Sequence, residues 1–198
     1  DTSGYGLNTL ISTEDGGVVI AGSRYEDSNV AYVLKKDQFG NTLWKYSFYD
    51  YYYVNFHTAT ELTDGSILLG GANGSANNRV GGEAWVMKIA ADGQVIYNTI
   101  LYNNHYGYVD ELIDTPDGGA IAVGYTYVSS VRRDDAWIIK LSANGGIDWQ
   151  KYFDAGNTVD AFENIVLSSN GYILSGRTDA TGNSTPFIAE INTSGSML

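Results

Sequence analysis

The sequence contains no cysteine, only two prolines and no long apolar run. Without thiols the chain has no disulfide, no thiolate nucleophile and no thiolate metal site. No stretch approaches the ~20 apolar residues that cross a membrane as a helix. The residues after Asp1 show neither the basic nor the apolar region of an export signal. We therefore expect a soluble chain without membrane insertion, or one that has already been processed.

Positive charge is also scarce. Eleven lysine and arginine residues stand against 23 aspartates and glutamates, which gives a formal net charge of -12 at pH 7. Such a chain repels nucleic-acid phosphates and anionic membranes, and this argues against both as partners. Hydrophobic residues make up 43% of the 198 residues and charged residues 17%. The chain therefore has enough apolar side chains to fold around a core.

An internal repeat dominates the sequence. A polar turn, a short apolar run and a glycine recur in four copies with a period of about 51 residues. The turns are marked by Asp15, Asp64, Asp117 and Ser169, and the glycines are Gly22, Gly71, Gly124 and Gly176. In the first three copies two aromatic residues follow, twelve positions apart: Tyr32 and Trp44, Trp85 and Tyr97, Trp137 and Trp149. This regularity indicates packing between repeats rather than a cofactor or ligand site.

The short runs of Val, Ile, Leu and aromatic residues, separated by Asp-Gly and Asn-Gly, are typical of β-hairpins, and no segment has sustained helical periodicity. Each copy predicts up to four strands. The first strands are predicted at 7–13, 57–63, 109–115 and 162–168, and the second at 17–22, 66–71, 119–124 and 171–176. The third strands are predicted at 31–36, 84–89, 136–141 and 186–191, and the fourth at 42–48, 95–101 and 147–153.

Four antiparallel strands per repeat predict an all-β fold, a β-propeller of four-stranded blades; a β-solenoid or two sandwiches fit less well. The blades would be residues 1–49, 50–102, 103–154 and 155–198 of one domain or propeller segment. The last blade is expected to lack its outer strand, since its next aromatic would fall just past Leu198. Strand 186–191 would then be an exposed edge for a strand-donating partner or another protomer. Alternatively, the chain is part of a larger propeller, or four blades close alone.

The pattern of Asp-Gly-Gly, apolar run, Gly, Ala-Trp-Ile-Ile-Lys-Leu, Asn-Gly and Asp-Trp-Gln-Lys resembles repeats of secreted and surface β-propeller proteins of bacteria. The turn and tryptophan portion is also similar to quinoprotein-like propeller blades. The resemblance covers essentially the whole chain and implies the propeller fold. The ligand set of a quinoprotein cofactor has no counterpart here, so we expect no cofactor.

In such blades the short Gly turns lie on one side and the variable loops on the other. All five arginines and eleven of the sixteen tyrosines fall in segments predicted as these variable loops. Tyrosine and arginine are enriched in binding hot spots. The candidate ligand-binding residues are Arg24, Tyr51, Tyr53, Arg79, Tyr106, Tyr108, Tyr127, Arg132 and Arg177. The alternative is structural, with arginines pairing with nearby acids and tyrosines filling gaps.

Catalytic and metal motifs are weak. His57 and His105 have no partner at triad or metal-ligand spacing, and they are interpreted as structural or surface residues. Asp110 with Glu111, or Asp134 with Asp135, could serve as the carboxylates of a glycosidase, but adjacency in the chain does not establish pairing in space. No loop matches a calcium-binding pattern, and we therefore predict no metal site. Because the histidines and the acidic pairs lack established partners, we also predict no catalytic residue.

We therefore expect a non-catalytic extracellular or cell-surface module for binding or adhesion. Its ligand would be a glycan or a protein, bound through the residues rich in tyrosine and arginine. Two alternatives stay open: a structural subunit of a surface assembly, and a glycan-active enzyme.

Overall fold

The described residues of the chain form β-strands and connecting turns. The computed structural model describes residues 5–25, 29–50, 53–74, 82–101, 106–128, 133–154, 159–179 and 184–198. Within these ranges there is no helix, and hence none that could cross a membrane. The all-β class predicted from the repeat is thus confirmed.

In the described ranges, fifteen strands form four antiparallel sheets, and in each sheet consecutive strands are neighbours. The first sheet contains β1 (Tyr5–Ser12), β2 (Val18–Tyr25), β3 (Asn29–Lys36) and β4 (Thr42–Asp50). The second contains β5 (Val54–Glu61), β6 (Ile67–Asn73), β7 (Glu83–Ile89) and β8 (Val95–Ile100). The third contains β9 (Tyr106–Asp114), β10 (Ala120–Val128), β11 (Arg133–Leu141) and β12 (Ile147–Phe153). The fourth contains β13 (Asp160–Ser168), β14 (Gly171–Thr178) and β15 (Thr185–Asn192).

The fourth sheet has three strands, in agreement with the repeat alignment. Beside β15, Ile191 forms a bridge with Met197, and the Leu198 N–H donates to the Glu190 carbonyl at 2.9 Å. In the first sheet, Lys36 and Thr42 pair at the corresponding position, where β4 begins. The outer edge of β15 is therefore partly paired near Ile191 rather than open along its whole length.

The four sheets are divided between two compact units, residues 1–102 and 103–198. Each unit holds two sheets, and the division coincides with a predicted repeat boundary.

Within each unit, sheets pack face to face. The trailing face of the first sheet is the face that carries Val19 and Val33. The equivalent faces of the other sheets are also called trailing faces. The opposite face is the leading face. In residues 1–102 the trailing face of the first sheet packs on the leading face of the second, where Phe56 and Trp85 are fully buried. Their rings stack with centroids 4.2 Å apart.

The second unit repeats this arrangement. Ile121 and Ile138 on the trailing face of the third sheet pack with Phe162, Leu174 and Ile191 on the leading face of the fourth. The same relation between faces therefore joins the two sheets of each unit.

A tryptophan on the outer strand strengthens each of these contacts. The Trp44 indole N–H donates to the Ala91 carbonyl of the second sheet at 3.3 Å. The Trp44 ring lies so close to Gly93 (φ +95°) that an added Cβ would come within 2.8 Å of it. Trp149 lies against Gly195 of the fourth sheet in the same way, at 2.7 Å. The packing between repeats predicted for these two tryptophans is therefore present in both units.

The turn between the first two strands carries a repeated ion pair. In the first sheet, Lys35 of the trailing face is buried, and its ammonium lies 2.7 Å from the Asp15 carboxylate of the turn. The same carboxylate accepts the Gly17 N–H at 3.0 Å. The pairs Lys88–Asp64 at 3.1 Å and Lys140–Asp117 at 2.9 Å repeat the arrangement. The fourth sheet has Glu190 and Ser169 at these two positions, so both partners are replaced together.

A β-bulge near the start of the first strand of each sheet explains the repeated glycine. The register of β1 skips Asn8, and a Cβ at Gly22 on β2 would overlap the Gly6 carbonyl oxygen. A glycine is needed where two backbones approach so closely. Gly71, Gly124 and Gly176 meet the same obstacle on β6, β10 and β14.

The predicted ends of the second strands were wrong. The second strands were expected to stop at the glycine, but each continues past it, to Tyr25, Asn73, Val128 and Thr178. Arg24, Tyr127 and Arg177 therefore lie in strands. Tyr106 and Tyr108 also lie in a strand, because β9 begins at Tyr106 and not at the predicted residue 109. The assignment of these five residues to loops was wrong. The glycine marks close approach of the backbone to a bulge, and the residues around it keep the ladder of hydrogen bonds.

The close approach at Gly22 can be tested with a matched pair of glycines. Gly22→Ala should lower the free energy of unfolding by roughly 2 kcal/mol or more, because backbone must move to admit the methyl group. Gly6→Ala on the paired strand should change it by less than ~0.5 kcal/mol, because its nearest obstacle would be 3.5 Å away. Urea denaturation measures both. Equal losses would contradict the close approach.

The ion pairs of the turns should make stability depend on acid. Hydrogen bonds from Lys35 and Thr13 lower the pKa of Asp15 to about 2, and those from Ser66 and Lys88 lower the pKa of Asp64 to about 2. Thr115 and Lys140 lower the pKa of Asp117 well below its ordinary value. A carboxyl with a lower pKa in the folded state stabilises it above the unfolded pKa of ~3.9, and this contribution is lost as the pH falls toward ~2.

We expect the urea midpoint of the unmodified chain to fall between about pH 4 and pH 2. The triple variant Asp15→Asn, Asp64→Asn and Asp117→Asn should be less stable at pH 5 but should lose less on acidification. Parallel curves for the two proteins would show that these carboxylates do not carry the acid sensitivity.

Candidate functional site

Each sheet has two ends of different character. At the turn end, the first strand joins the second, and the third joins the fourth, through short turns. At the loop end, segments of more varied length, from three to nine residues, join the second strand to the third and one sheet to the next. The turn end of the first sheet is marked by Ser12 and Val18, and its loop end by Tyr25 and Asn29. The carboxyl groups with lowered pKa, on Asp15, Asp37, Asp64 and Asp117, all lie at turn ends.

The loop ends of the first and second sheets share a polar cluster. The Tyr53 hydroxyl lies 3.1 Å from Nε2 of His57, and the Asn55 side-chain amide donates to that hydroxyl at 3.4 Å. The Asn8 amide donates to the Asn55 side chain at 2.6 Å and to the Phe56 carbonyl at 2.8 Å. Tyr53 is thus held in a network that ties β1 to β5, and it is half-buried.

The third sheet has four aromatic side chains at its loop end. Tyr108 faces Tyr125 across β9 and β10, with stacked rings 4.9 Å apart. Tyr106 faces Tyr127 one step nearer the loop, with ring centroids 5.7 Å apart. All four side chains are half-buried. We call Tyr106, Tyr108, Tyr125 and Tyr127 the tyrosine ladder; it continues the trailing face beyond Val123.

The predicted arginines do not join one group in the described part of the chain. Arg24 is half-buried on β2, opposite Val30. Arg177 on β14 is exposed, and its Nε lies 3.6 Å from the carboxylate of Glu163. An exposed pair of this kind contributes little to stability, so Arg177 is available to a ligand at small cost. Tyr51, Arg79 and Arg132 lie outside the described residues.

Sequence reasoning missed a second set of equivalent positions. The residues skipped by the bulges of the first strands are all polar: Asn8, His57, Asp110 and Glu163. Each stands thirteen or fourteen residues before the repeated glycine, so an alignment of the repeats placed on the glycine could have found them. His57 contacts Tyr53, in line with its interpretation as a structural residue.

The acidic pairs considered for catalysis are only partly described. Asp110 and Glu111 are half-buried neighbours on β9, and a Glu111 carboxylate oxygen accepts the Leu112 N–H at 2.9 Å. Asp135 is buried on β11, while the side chain of Asp134 lies outside the described set. Among the described residues, no three His, Cys, Asp or Glu side chains are placed to hold a metal ion together.

These features define an all-β protein of repeated antiparallel sheets. No protein-family model matches the chain, and no characterised protein matches it in sequence. Solved structures do resemble it. A protein of unknown function from Bacteroides caccae has a TM-score of 0.59 at 15% identity, over 100% of this chain and 67% of that one. A hypothetical protein from Leishmania major has a TM-score of 0.56 at 12% identity, over 96% and 69%. At these identities the likeness shows the fold alone.

The outer pair of the ladder should contribute to stability through its rings. Tyr127→Leu should lower the free energy of unfolding by about 0.5–1.5 kcal/mol, whereas Tyr127→Phe should change it little, because phenylalanine keeps the contact with Tyr106. A double-mutant cycle with Tyr106→Leu, followed by urea denaturation, isolates the pair. Equal effects of Leu and Phe at position 127 would contradict a stabilising ring contact.

Proposed function

We propose that the chain is a non-catalytic binding module of propeller type that acts outside the cell or on its surface. It recognises a neutral glycan at the loop ends of its sheets, with the tyrosine ladder as the centre of the site. No cofactor or metal takes part in this proposal.

The propeller assignment is supported by the repeat and by the packing in each unit. Consecutive antiparallel strands recur with a period of about 51 residues, which suits a blade. Neighbouring sheets pack trailing face on leading face, with Trp44 or Trp149 docked on a glycine of the next turn. The chain spans about two thirds of each similar structure, which suits a segment of a larger propeller.

The observation that carries the binding proposal is the contrast between the two ends of the sheets. The turn ends repeat one arrangement of residues. The Lys–Asp pair is present in three sheets, and both turns of the first sheet contain a glycine with positive φ. The loop ends differ from sheet to sheet, and one of them gathers four tyrosines on one face. Constant residues suit a scaffold, and variable loop segments on a rigid scaffold suit recognition.

The chemistry of the ladder favours a sugar. An aromatic ring presents a large, rigid surface of low conformational entropy, with a hydroxyl that can donate or accept a hydrogen bond. The apolar face of a pyranose ring fits such a surface, and its hydroxyl groups fit the polar rim. The net charge of -12 repels acidic polysaccharides, so a neutral glycan is the expected class. A protein ligand is the alternative.

A panel of neutral oligosaccharides and polysaccharides, followed by calorimetry on those that bind, tests the proposal. The double variant Tyr106→Ala and Tyr127→Ala should weaken binding about tenfold or more, because each substitution removes a ring that contacts the ligand at the centre of the site. Phe39→Ala, which removes an exposed aromatic at a turn end, should bind as the unmodified chain does.

Full binding by the double variant would place the site elsewhere and overturn this assignment. Absence of binding to every neutral glycan would overturn the sugar proposal; pull-down with the same variants would then test the protein alternative. Release of shorter sugars during incubation would indicate an enzyme and contradict the non-catalytic assignment.

A further inference from the structure

The loop ends of the third and fourth sheets lie on the same side of the second unit. Phe153, at the loop end of β12, contacts Phe162 and Phe187 of the fourth sheet, with ring centroids 5.9 and 5.4 Å apart. Trp149, nearer the turn end of β12, lies against Gly195 in a turn of the fourth sheet. The strand β13 packs against both β9 and β10, which carry the tyrosine ladder. The loop end of the fourth sheet therefore lies opposite the ladder.

The register of the fourth sheet identifies the residues that face the ladder. Asp160 pairs with Thr178, and Thr178 pairs with Thr185. Asp160 is two positions before Phe162, and Thr185 is two positions before Phe187. Side chains alternate between the faces of a sheet, and paired residues share a face. These three polar residues therefore continue the leading face toward the loop end, as the ladder continues the trailing face of the third sheet.

Burial of these three side chains differs. Asp160 is fully buried, Thr178 is half-buried and Thr185 is exposed. Burial of a carboxylate is costly unless hydrogen bonds compensate for the lost water. The wall opposite the ladder thus has a buried acceptor at one side and an accessible hydroxyl group at the other.

The first unit shows that packing of the sheets does not require this carboxylate. Val54 of the second sheet occupies the position equivalent to Asp160, and it is buried. The first sheet has Gly6 and Ser23 as a pair where the ladder has its inner pair of tyrosines. The buried carboxylate and the tyrosines therefore occur together in one unit and are both absent from the equivalent positions of the other.

The carboxylate also determines which hydrogen bonds its surroundings can offer. An ionised carboxylate only accepts hydrogen bonds, so a hydroxyl group that donates to it presents lone pairs to its other neighbours. A ligand between the two walls must then donate hydrogen bonds on one side and present an apolar surface to the tyrosine rings on the other. A pyranose ring with free hydroxyl groups meets both requirements.

We infer that Asp160 is a positioning residue of the glycan site, and that the sugar lies between the tyrosine ladder and the wall formed by Thr178 and Thr185. Thr185 contacts the sugar, while Asp160 acts through the hydroxyl groups beside it. This inference rests on the proposed function and adds to it the opposite wall of the site and the need for hydroxyl donors on the ligand.

Calorimetry with cellotriose, maltotriose and mannotriose, taken from the neutral panel, tests the inference. Asp160→Val should weaken binding about tenfold, and Asp160→Asn, which keeps an acceptor oxygen, only about threefold. Thr185→Val should weaken binding about fivefold, because the sugar loses a hydrogen bond. Thr193→Val, at an exposed threonine of a turn in the same sheet, should bind as the unmodified chain does.

Thermal unfolding distinguishes positioning from a purely structural role. Because the second sheet has Val54 at the equivalent position, Asp160→Val should fold, and its melting temperature should fall by no more than about 3 °C. A purely structural Asp160 would give the opposite result, a large fall in melting temperature with unchanged binding by the folded protein. The matched substitutions at Thr185 and Thr193 test the wall even where Asp160→Val unfolds.

Equal binding by the Thr185→Val and Thr193→Val variants would overturn the inference, as would unchanged binding by folded Asp160→Val. If binding depends on Tyr106 and Tyr127 but on neither Asp160 nor Thr185, the proposed function stands and only this inference fails. If no neutral glycan binds to the unmodified chain, both fail.

Discussion

Burial of one sheet face against the next is the interaction on which the rest of this structure depends. A sheet with apolar side chains on both faces cannot bury either face alone. Val19 and Val33 become inaccessible to water because the second sheet, with Phe56 and Trp85, lies against them. The same relation recurs between the third and fourth sheets. The docking of Trp44 on Gly93 then follows from this packing, which brings the outer strand of one sheet to the turn of its neighbour.

The polar features at the turn ends support this packing rather than compete with it. A buried lysine on an apolar face would be costly without a partner, and a turn aspartate provides one in three sheets. The fourth sheet has lost the lysine and the aspartate together. Loss of only one partner would leave an unpaired charge at the contact, so the joint replacement is the physically consistent one.

The two proposals concern opposite walls of one site. Glycan recognition rests on aromatic side chains at the loop end of the third sheet, where the sheets differ from one another. The role of Asp160 rests on the leading face of the fourth sheet, which packing within the second unit places against the third. The contact that forms the core of this unit therefore also brings the two walls together. Variants of each wall can separate the two proposals.

Much of the fold could be predicted from local chemistry, because Asp-Gly and Asn-Gly turns and alternating apolar runs encode hairpins over short distances. The repeat, the all-β class, the order of strands within each sheet and the short fourth sheet were all accessible in this way. The bulges could not be predicted, because Gly22 has its role only beside the carbonyl of Gly6. Arg24 and Tyr127 were therefore assigned to loops, although they lie in strands.

The sequence also places tyrosines and arginines in the same segments without showing which of them are in contact. Pairing of β9 with β10 decided that Tyr106 faces Tyr127 and Tyr108 faces Tyr125, while Arg177 lies beside Glu163. The residues opposite the ladder were likewise decided by tertiary structure, because Asp160 is far from Tyr125 in the chain and comes near it only through the packing of the third sheet on the fourth.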